Sequence, residues 1–272
     1  MPSMQLAIAT VIGVIVPALP PGALFAPPAQ SDQPHSISVR ASPTVAAVFT
    51  GGDLGENHTC TASVVASSTG DLLVTAAHCL SGDGKGMKVV PGYDAGHTPY
   101  GVWPVTAVFV DSAWRANTTE ADDVAFLRVA PTEVDGKTQR LQDVTGANTL
   151  GDTPAPSTSV TVEGFNVGRT DHAVSCTVGL DMTVTDPTFR CGGYVSGSSG
   201  SPWLVTGSDG ITRVTGVIGG PDEGGCTDAT SYSAVFAAPT AALLARAERS
   251  GNDGDTAPAA GPAPGCSSSD DG

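Results

Sequence analysis

The sequence predicts an all-β fold that ends in one helix. Apolar residues occur in short runs separated by Gly, Pro, Asp and Ser, a spacing typical of a β-sandwich or β-barrel. Only one stretch, close to the C-terminus, has helical periodicity. The length of 272 residues is within the range of a single β-barrel domain with two packed halves.

Each predicted strand combines β-branched or aromatic residues with turn residues at its ends. In chain order the strands are Val45–Thr50, Thr61–Ala66, Leu72–Thr75, Val102–Val110, Val124–Val129, Val160–Phe165, Trp203–Thr206 and Thr212–Ile218. The helix runs from Thr240 to Arg249, because Pro239 precedes it and Ser250 and Gly251 follow it. This helix is expected to close the domain.

Residues 1–29 resemble a secretory signal peptide, with an apolar run from Leu6 to Leu19 that is followed by small residues and prolines. The segment before this run lacks the usual Lys or Arg, which leaves a wrongly assigned start and an uncleaved anchor as alternatives. The run is shorter than the ~20 residues of a membrane-spanning helix, and Pro17 and Pro20 interrupt it, which argues against an anchor. The mature protein is therefore expected to be secreted and free of the membrane.

The domain itself is predicted to cover residues 41–250. Residues 30–40 are polar and contain proline, as expected of a propeptide or a flexible lead-in. Residues 251–272 have almost no large apolar side chain and cannot bury enough surface to offset chain entropy. They are predicted to be a disordered tail.

Composition limits the partners of the protein. The chain has 12 Lys and Arg against 27 Asp and Glu, a formal net charge of −15. Such a charge repels phosphate backbones and anionic membranes, so nucleic acid is not expected as a partner. The six cysteines are typical of an exported protein with disulfides. They include no Cys-x-x-Cys pair, so no metal site is expected.

Three motifs carry the chemistry. His78 lies in Thr-Ala-Ala-His-Cys (residues 75–79), where a buried strand delivers it to a turn, and Ser199 lies in Gly-Ser-Ser-Gly-Ser-Pro (residues 197–202), whose glycines expose its side chain. Asp123 begins an apolar strand, where a carboxylate needs a partner such as an imidazole N–H. A serine becomes a nucleophile only when a histidine accepts its proton and a third group orients that histidine. His78, Asp123 and Ser199 supply a base, an orienting acid and a nucleophile in one of the known chain orders.

Three details follow from chain geometry. Asp122 competes with Asp123 for the orienting role, but side chains alternate along a strand, so only one of the two can face the histidine, and we favour Asp123. The backbone N–H groups of Gly197 and Ser199 are the natural pair to stabilise an oxyanion. If Cys60 pairs with Cys79, the bond closes a loop of about 20 residues, which removes on the order of 3 kcal/mol of unfolded-chain entropy and fixes the histidine backbone.

These motifs resemble the trypsin-like serine peptidases of the chymotrypsin fold, and the resemblance extends from about Val45 to Arg249. The block around His78 is close to diagnostic, and its spacing to Asp-Val-Ala-Phe-Leu (residues 123–127) is similar to that of the family. Val-Glu-Gly-Phe (residues 162–165) resembles a strand of the family that ends in a glycine-aromatic turn, and residues 216–220 resemble its substrate-pairing segment. The resemblance implies two packed antiparallel β-barrels with the triad at their junction. It also implies hydrolysis of protein or peptide substrates through an acyl-enzyme, by a monomer that needs no cofactor or metal ion.

Activation and specificity depart from the usual family pattern. Ser198 replaces the acid that precedes the nucleophile, and no Ile-Val-Gly-Gly occurs near the start, so both halves of activation by a new N-terminus are missing. In this the chain is similar to bacterial extracellular peptidases, including the glutamyl-endopeptidase-like group, and no particular free N-terminus is expected to be needed. Residues 191–196 offer no pocket aspartate, so a preference for cleavage after Arg or Lys is not supported. Three nearby acids could reach a pocket, but we expect them to be solvated turn residues: Asp222, Glu223 and Asp228.

The resemblance also implies a disulfide between Cys176 and Cys191, with Cys191–Cys226 as the alternative. Cys266 is either unpaired or bonded to a cysteine of the domain, because connectivity cannot be deduced from sequence. The remaining histidines are interpreted as surface or loop residues: His35, His58, His97 and His172.

Two other function classes remain as alternatives. A peptidase fold used only for binding would be expected to lack a member of the triad, whereas all three are present. An esterase of the α/β-hydrolase type would show Gly-x-Ser-x-Gly and a histidine last in chain order. The sequence therefore favours a secreted serine endopeptidase.

Overall fold

A computed structural model describes residues 33–51, 54, 58–167, 172–259 and 266 of the chain. The predicted signal peptide lies outside the described residues. The strands are β1 (Ile37–Val39), β2 (Val45–Phe49), β3 (His58–Val64), β4 (Leu72–Thr75), β5 (Lys88–Pro91), β6 (Trp103–Val110), β7 (Ala125–Val129), β8 (Thr132–Val134), β9 (Lys137–Gln139), β10 (Thr149–Leu150), β11 (Ser159–Phe165), β12 (Ala173–Gly179), β13 (Asp181–Met182), β14 (Pro187–Arg190), β15 (Pro202–Thr206), β16 (Thr212–Val217) and β17 (Thr230–Tyr232). The helices are α1 (Ser112–Asn117), α2 (Leu141–Thr145) and α3 (Ala238–Arg249), with short 3₁₀ helices at Ala77–Cys79, Glu120–Asp122 and Pro221–Gly224.

The first half is a closed barrel in the strand order β2-β3-β4-β7-β6-β5. Its neighbouring strands are antiparallel. Every residue of β2, β4 and β7 is buried, because the inner faces fill the barrel and the outer faces are covered by other elements. The large, fully buried side chains of this core include Trp103, Phe109 and Phe126. The barrel therefore gives a rigid base to the loops that leave β4 and enter β7.

The second half consists of two sheets. A six-stranded sheet has the order β1-β12-β11-β15-β16-β10, and a three-stranded sheet has the order β13-β14-β17. Pairing is antiparallel except between β10 and β16. Phe189, Trp203 and Ile218 belong to the shared core of this half, and a backbone hydrogen bond from Gly219 to Tyr232 links the two sheets. The predicted all-β fold with a C-terminal helix is confirmed, while the second barrel is divided into two sheets.

α3 is the longest helix of the described residues and has 12 residues. Within the ranges that the structure describes, no helix is long and apolar enough to cross a membrane.

Residues 33–40 differ from the expected flexible lead-in. β1 pairs with β12, with Ile37 opposite Ser175 and Val39 opposite Ala173. Ser36 and Gly192 add a further backbone hydrogen bond of 2.8 Å. Ile37 is 67% exposed and only Val39 packs against the core, so backbone pairing is the main interaction of this strand and the sequence shows no clear apolar pattern for it. The folded domain therefore begins before Ala41.

The first part of the expected disordered tail is also packed. Asp255 accepts hydrogen bonds from Arg246 (2.7 Å) and from the backbone N–H of Val110 (2.9 Å). Ala257 is buried and exchanges two backbone hydrogen bonds with Gly82. Polar contacts rather than a large apolar surface therefore hold residues 251–259 on the first barrel, which composition does not reveal.

We expect Asp255→Asn to lower the free energy of unfolding by about 1–2 kcal/mol at pH 7, because it removes the charge that binds Arg246. Burial alone would raise the pKa of Asp255, but the hydrogen bonds from Arg246 and Val110 and the guanidinium charges outweigh it, so the pKa lies below its ordinary value. The stabilisation is therefore present above the unfolded pKa of about 3.9 and is lost as the pH falls through the folded value. Urea denaturation at neutral and acidic pH measures both effects. The exposed Asp253 is the matched control, and an equal loss in Asp253→Asn would contradict the prediction.

Candidate active site

His78 is held by covalent and backbone constraints on both sides. The fully buried strand β4 leads into the 3₁₀ helix Ala77–Cys79, and the Cys60–Cys79 disulfide ties that helix to β3. The sulfur atoms lie close to the His78 ring, but both are consumed by the disulfide and are not thiolate ligands for a metal. The position of the imidazole is thus fixed by the barrel.

Asp123 lies between the 3₁₀ helix Glu120–Asp122 and β7, and it is 1% exposed. Its Oδ2 lies 2.7 Å from His78 Nδ1 and accepts the N–H of Gly220 at 2.8 Å, while its Oδ1 accepts the backbone N–H of His78 at 2.9 Å. Three donors therefore compensate the burial of this carboxylate. Asp122 lines a different cavity with Asp111, and burial and that neighbouring charge raise its pKa.

The environment of His78 favours its protonated form. Burial alone would lower the pKa of the imidazole, but the charge and hydrogen bond of Asp123, together with the charge of Glu223, raise it above its ordinary value. The other ring nitrogen, Nε2, is buried and has no hydrogen-bond partner among the described residues. His78 therefore has one nitrogen fixed by a carboxylate and one available to exchange a proton.

The loop that carries Ser199 packs directly on the strands beside His78. Gly200 has φ +80°, and a Cβ there would lie 2.1 Å from the Thr61 carbonyl and 2.2 Å from Thr75 Oγ1, so only glycine fits. The backbone N–H of Thr61 also donates to the carbonyl of Ser199 at 2.7 Å. These contacts bring the half-buried Ser199 to the end of β4, where the chain turns toward His78.

The backbone N–H groups of this loop fall into two sets. Those of Ser198, Gly200 and Ser201 donate to carbonyls of Val195, Ile218 and Ser198. Those of Gly197 and Ser199 donate no hydrogen bond within the described ranges. The N–H groups of Gly197 and Ser199 are separated by one peptide unit, and both can donate to a negative charge that develops on a substrate oxygen.

Ser198 directly precedes the nucleophile, at the position where the family that the sequence resembles has an acid. It is 4% exposed and adds no charge to the loop. Its backbone carbonyl accepts from Ser201 at 2.9 Å, so a turn inside the loop holds the segment in place.

The other two disulfides lie in the second half. Cys176 is bonded to Cys191, the pairing implied by the family resemblance, and the alternative Cys191–Cys226 is not formed. Cys226 is instead bonded to Cys266 of the tail. This bond attaches the tail to the chain just after the 3₁₀ helix Pro221–Gly224.

One of the three acids that could reach a pocket lies near the site. Glu223 is half-buried and is not a solvated turn residue. Burial raises the pKa of its carboxyl, and the charge of Asp123 raises this pKa further, while the charge of His78 lowers it. The sequence shows only that Asp222, Glu223 and Asp228 lie in a glycine-rich turn. Which of them faces the site depends on how that turn folds.

His58 also differs from its expected place in a loop. It is 2% exposed, and its ring centroid lies 5.9 Å from those of Phe49, Tyr93 and Phe165. It is the first residue of β3 and packs in an aromatic cluster formed by residues from both halves of the domain. A single histidine in a sequence gives no signal for such a position. The other three are exposed: His35, His97 and His172.

Comparison with known proteins decides the family. The family model described as Trypsin matches residues 32–241. The chain belongs to the trypsin family. It is accordingly a serine endopeptidase with a chymotrypsin-like fold.

Solved structures similar to this trypsin-family chain are proteases with the same fold. Protease Anisep from Arthrobacter nicotinovorans is 24% identical, with a TM-score of 0.63, over 76% of this chain and 95% of that chain. Serine protease AL20 from an extremophilic microorganism is 21% identical, with a TM-score of 0.58, over 76% and 97%. A Glu endopeptidase is 17% identical, with a TM-score of 0.62, over 80% and 98%. The search of curated proteins gave no match.

Proposed function

We propose that the protein is a secreted serine endopeptidase in which His78, Asp123 and Ser199 form the catalytic triad. The observation that carries this proposal is the 2.7 Å contact between Asp123 Oδ2 and His78 Nδ1, combined with a buried and unpartnered Nε2. A carboxylate on Nδ1 fixes the tautomer in which Nε2 accepts a proton. We expect Ser199 Oγ to form its hydrogen bond to Nε2 when substrate binds, because catalytic hydrogen bonds often become short and well aligned only in the substrate complex.

Acylation uses all of these groups. Ser199 Oγ attacks the carbonyl carbon of the scissile peptide and passes its proton to His78 Nε2. The carbonyl oxygen becomes an oxyanion, which the N–H groups of Gly197 and Ser199 stabilise. His78 then donates its proton to the leaving nitrogen as the C–N bond breaks, and the acyl group remains as an ester on Ser199.

Deacylation repeats the sequence with water. His78 Nε2 takes a proton from water, the oxygen attacks the ester carbon, and the same two N–H groups hold the second oxyanion. The C–O bond to Ser199 then breaks and the serine recovers the proton from His78. Asp123 stabilises the imidazolium in both halves and does not itself take up the proton.

Secretion is supported by the chemistry of the cysteines. All six of them form disulfides, and such bonds persist in oxidising compartments outside the cytosol. The signal-like composition of residues 1–29 agrees with this location.

A fluorophosphonate probe tests the proposal, because it reacts only with a serine whose proton is removed by a nearby base. Protein collected from the medium is labelled, and the modified residue is mapped by mass spectrometry. We expect the label on Ser199, its loss in His78→Ala, and its retention in Ser198→Ala, which removes the neighbouring hydroxyl. Absence of label on the folded protein would leave a binding-only peptidase fold as the better interpretation.

A further inference from the structure

The catalytic mechanism leaves one charged group beside the triad unused. Glu223 lies in the 3₁₀ helix Pro221–Gly224, three residues after the Gly220 whose N–H binds the Asp123 carboxylate. It is near enough to His78 for the two charges to affect each other. The hydrogen bond from Gly220 places this turn against the catalytic pair, and the charge interaction between Glu223 and His78 agrees with that placement.

The backbone of this turn is strained. Asp222 has φ 52° and Glu223 has φ 56°, and consecutive left-handed residues other than glycine persist only where the surroundings hold them. The N–H of Asp222 donates to Glu120 Oε1 at 3.2 Å, and the N–H of Glu223 donates to the Gly220 carbonyl at 3.0 Å. The Cys226–Cys266 bond restrains the chain a short distance further on. Strain that is held in this way next to a reaction centre points to a functional side chain.

The carboxylate of Glu223 has no Lys or Arg partner among the described residues. It makes no salt bridge or side-chain hydrogen bond with the residues that the structure describes. The charge of Asp123 acts on this carboxylate, and the whole chain carries a formal charge of −15. A half-buried carboxylate in such a field favours a positively charged ligand.

A substrate strand can reach this carboxylate. The carbonyl of Gly219 accepts no hydrogen bond in the described part of the chain, so it can accept an N–H from an extended substrate. Gly219 lies against both Asp123 and Ala76. The carbonyl of Ile218 accepts a hydrogen bond from the N–H of Gly200, the residue that follows Ser199. A substrate that pairs with the Gly219 carbonyl places the residues that precede the attacked carbonyl on the path from Ser199 toward the turn at Glu223. In an extended conformation each of these residues advances the chain by about 3.3 Å.

We propose that Glu223 is a specificity-determining residue that selects substrates with Lys or Arg at one of the two positions preceding the residue whose carbonyl is attacked. A long basic side chain at either position brings its charge to the carboxylate. This inference rests on the proposed function and adds a substrate class to it. It is separate from the choice of side chain at the attacked residue itself, for which residues 191–196 supply no acid.

The experiment compares two peptide series that differ only in charge. One position at a time carries Lys or its uncharged isostere norleucine, and the ratio of kcat/KM for the two peptides is measured within each protein. Because both peptides meet the same His78, the ratio cancels any effect of a Glu223 variant on the base. A charged hydrogen bond predicts a ratio of about tenfold or more in the wild type at one of the two positions.

Three variants and one control make the outcome specific. We expect Glu223→Gln to reduce the ratio to about one, and Glu223→Lys to prefer Glu over Gln at the same position. Glu223→Gly relieves the left-handed strain, so we expect it to raise Tm while it loses the preference, which a purely structural glutamate would not do. Glu133→Gln removes an equal charge from an exposed position on β8 and is expected to keep the wild-type ratio.

The remaining outcomes contradict either the role of Glu223 or the proposed peptidase function. Cleavage of norleucine and Lys peptides at equal rates by the wild type, or a ratio that survives in Glu223→Gln, overturns the role of Glu223 and leaves the endopeptidase intact. An equal fall of the ratio in Glu133→Gln overturns it as well, since the preference then comes from net charge. Failure to cleave any peptide, together with no fluorophosphonate label on Ser199, overturns the proposed function and this inference with it.

Discussion

Replacement of Ser199 by alanine is expected to lower kcat for peptide hydrolysis by about 10⁶-fold. Without Oγ no acyl-enzyme forms, and only the N–H groups of Gly197 and Ser199 remain to stabilise direct attack by water. The free energy of unfolding should change by less than about 0.5 kcal/mol, because the half-buried side chain makes no hydrogen bond with the described residues. Active-site titration, steady-state kinetics and thermal denaturation measure these quantities on one preparation.

Ser201→Ala is a useful comparison for Ser199→Ala. Ser201 lies in the same loop and is fully buried, and its Oγ has no hydrogen-bond partner within the described ranges. Its loss should leave kcat within about tenfold of the wild type. If Ser199→Ala were as active as Ser201→Ala, the nucleophile would have to be another residue.

Asp123→Asn is expected to lower kcat by about 10⁴-fold near neutral pH. The amide has no charge with which to stabilise the imidazolium, and its NH₂ group faces a donor in either orientation. If the NH₂ group takes the place of Oδ1, it faces the backbone N–H of His78. If it takes the place of Oδ2, it faces the N–H of Gly220. In that orientation it can donate to His78 Nδ1 only when the imidazole proton is on Nε2, which is the wrong tautomer for a base. The variant therefore disturbs both the charge and the orientation of the base.

The pH dependence gives a second measure of the same change. Asp123 raises the pKa of His78, so its replacement lowers that pKa. Because the neutral imidazole is the active form, the acidic limb of kcat/KM should move to lower pH in Asp123→Asn. Asp122→Asn is the matched control, since Asp122 lines a separate cavity. Equal losses of activity in the two variants would contradict the assignment of Asp123.

The sequence predicted best those features in which local pattern and burial agree. All residues of β4 and β7 are buried and most are apolar, and the boundaries of both strands agree with the predicted runs to within one residue. Strand alternation predicted Asp123 rather than Asp122 beside His78, and Asp123 does lie there. Both residues precede β7, so the 3₁₀ helix Glu120–Asp122 and its C-cap, and not strand alternation, orient the two side chains.

The features that the sequence did not reveal depend on contacts distant along the chain. β1 is an exposed edge strand that pairs through its backbone, and β12 contains Ser, Cys, Thr and Gly, so neither shows a clear apolar pattern. The packing of Asp255 depends on Arg246 and on the N–H of Val110, which no local pattern connects. The position of Glu223 follows from a strained turn whose dihedral angles the sequence does not specify.

The Cys226–Cys266 disulfide affects how a peptidase molecule survives cleavage by other copies of itself. It encloses β17, α3 and the packed segment around Asp255 in one covalent loop, with a sequence separation of 40. Exposed stretches after a terminal helix are common sites of proteolytic nicking. A single cut anywhere between Cys226 and Cys266 leaves the two pieces joined, so self-digestion there yields a nicked molecule that keeps its closing helix. Such damage becomes visible on a gel only after the sulfur bridge has been reduced.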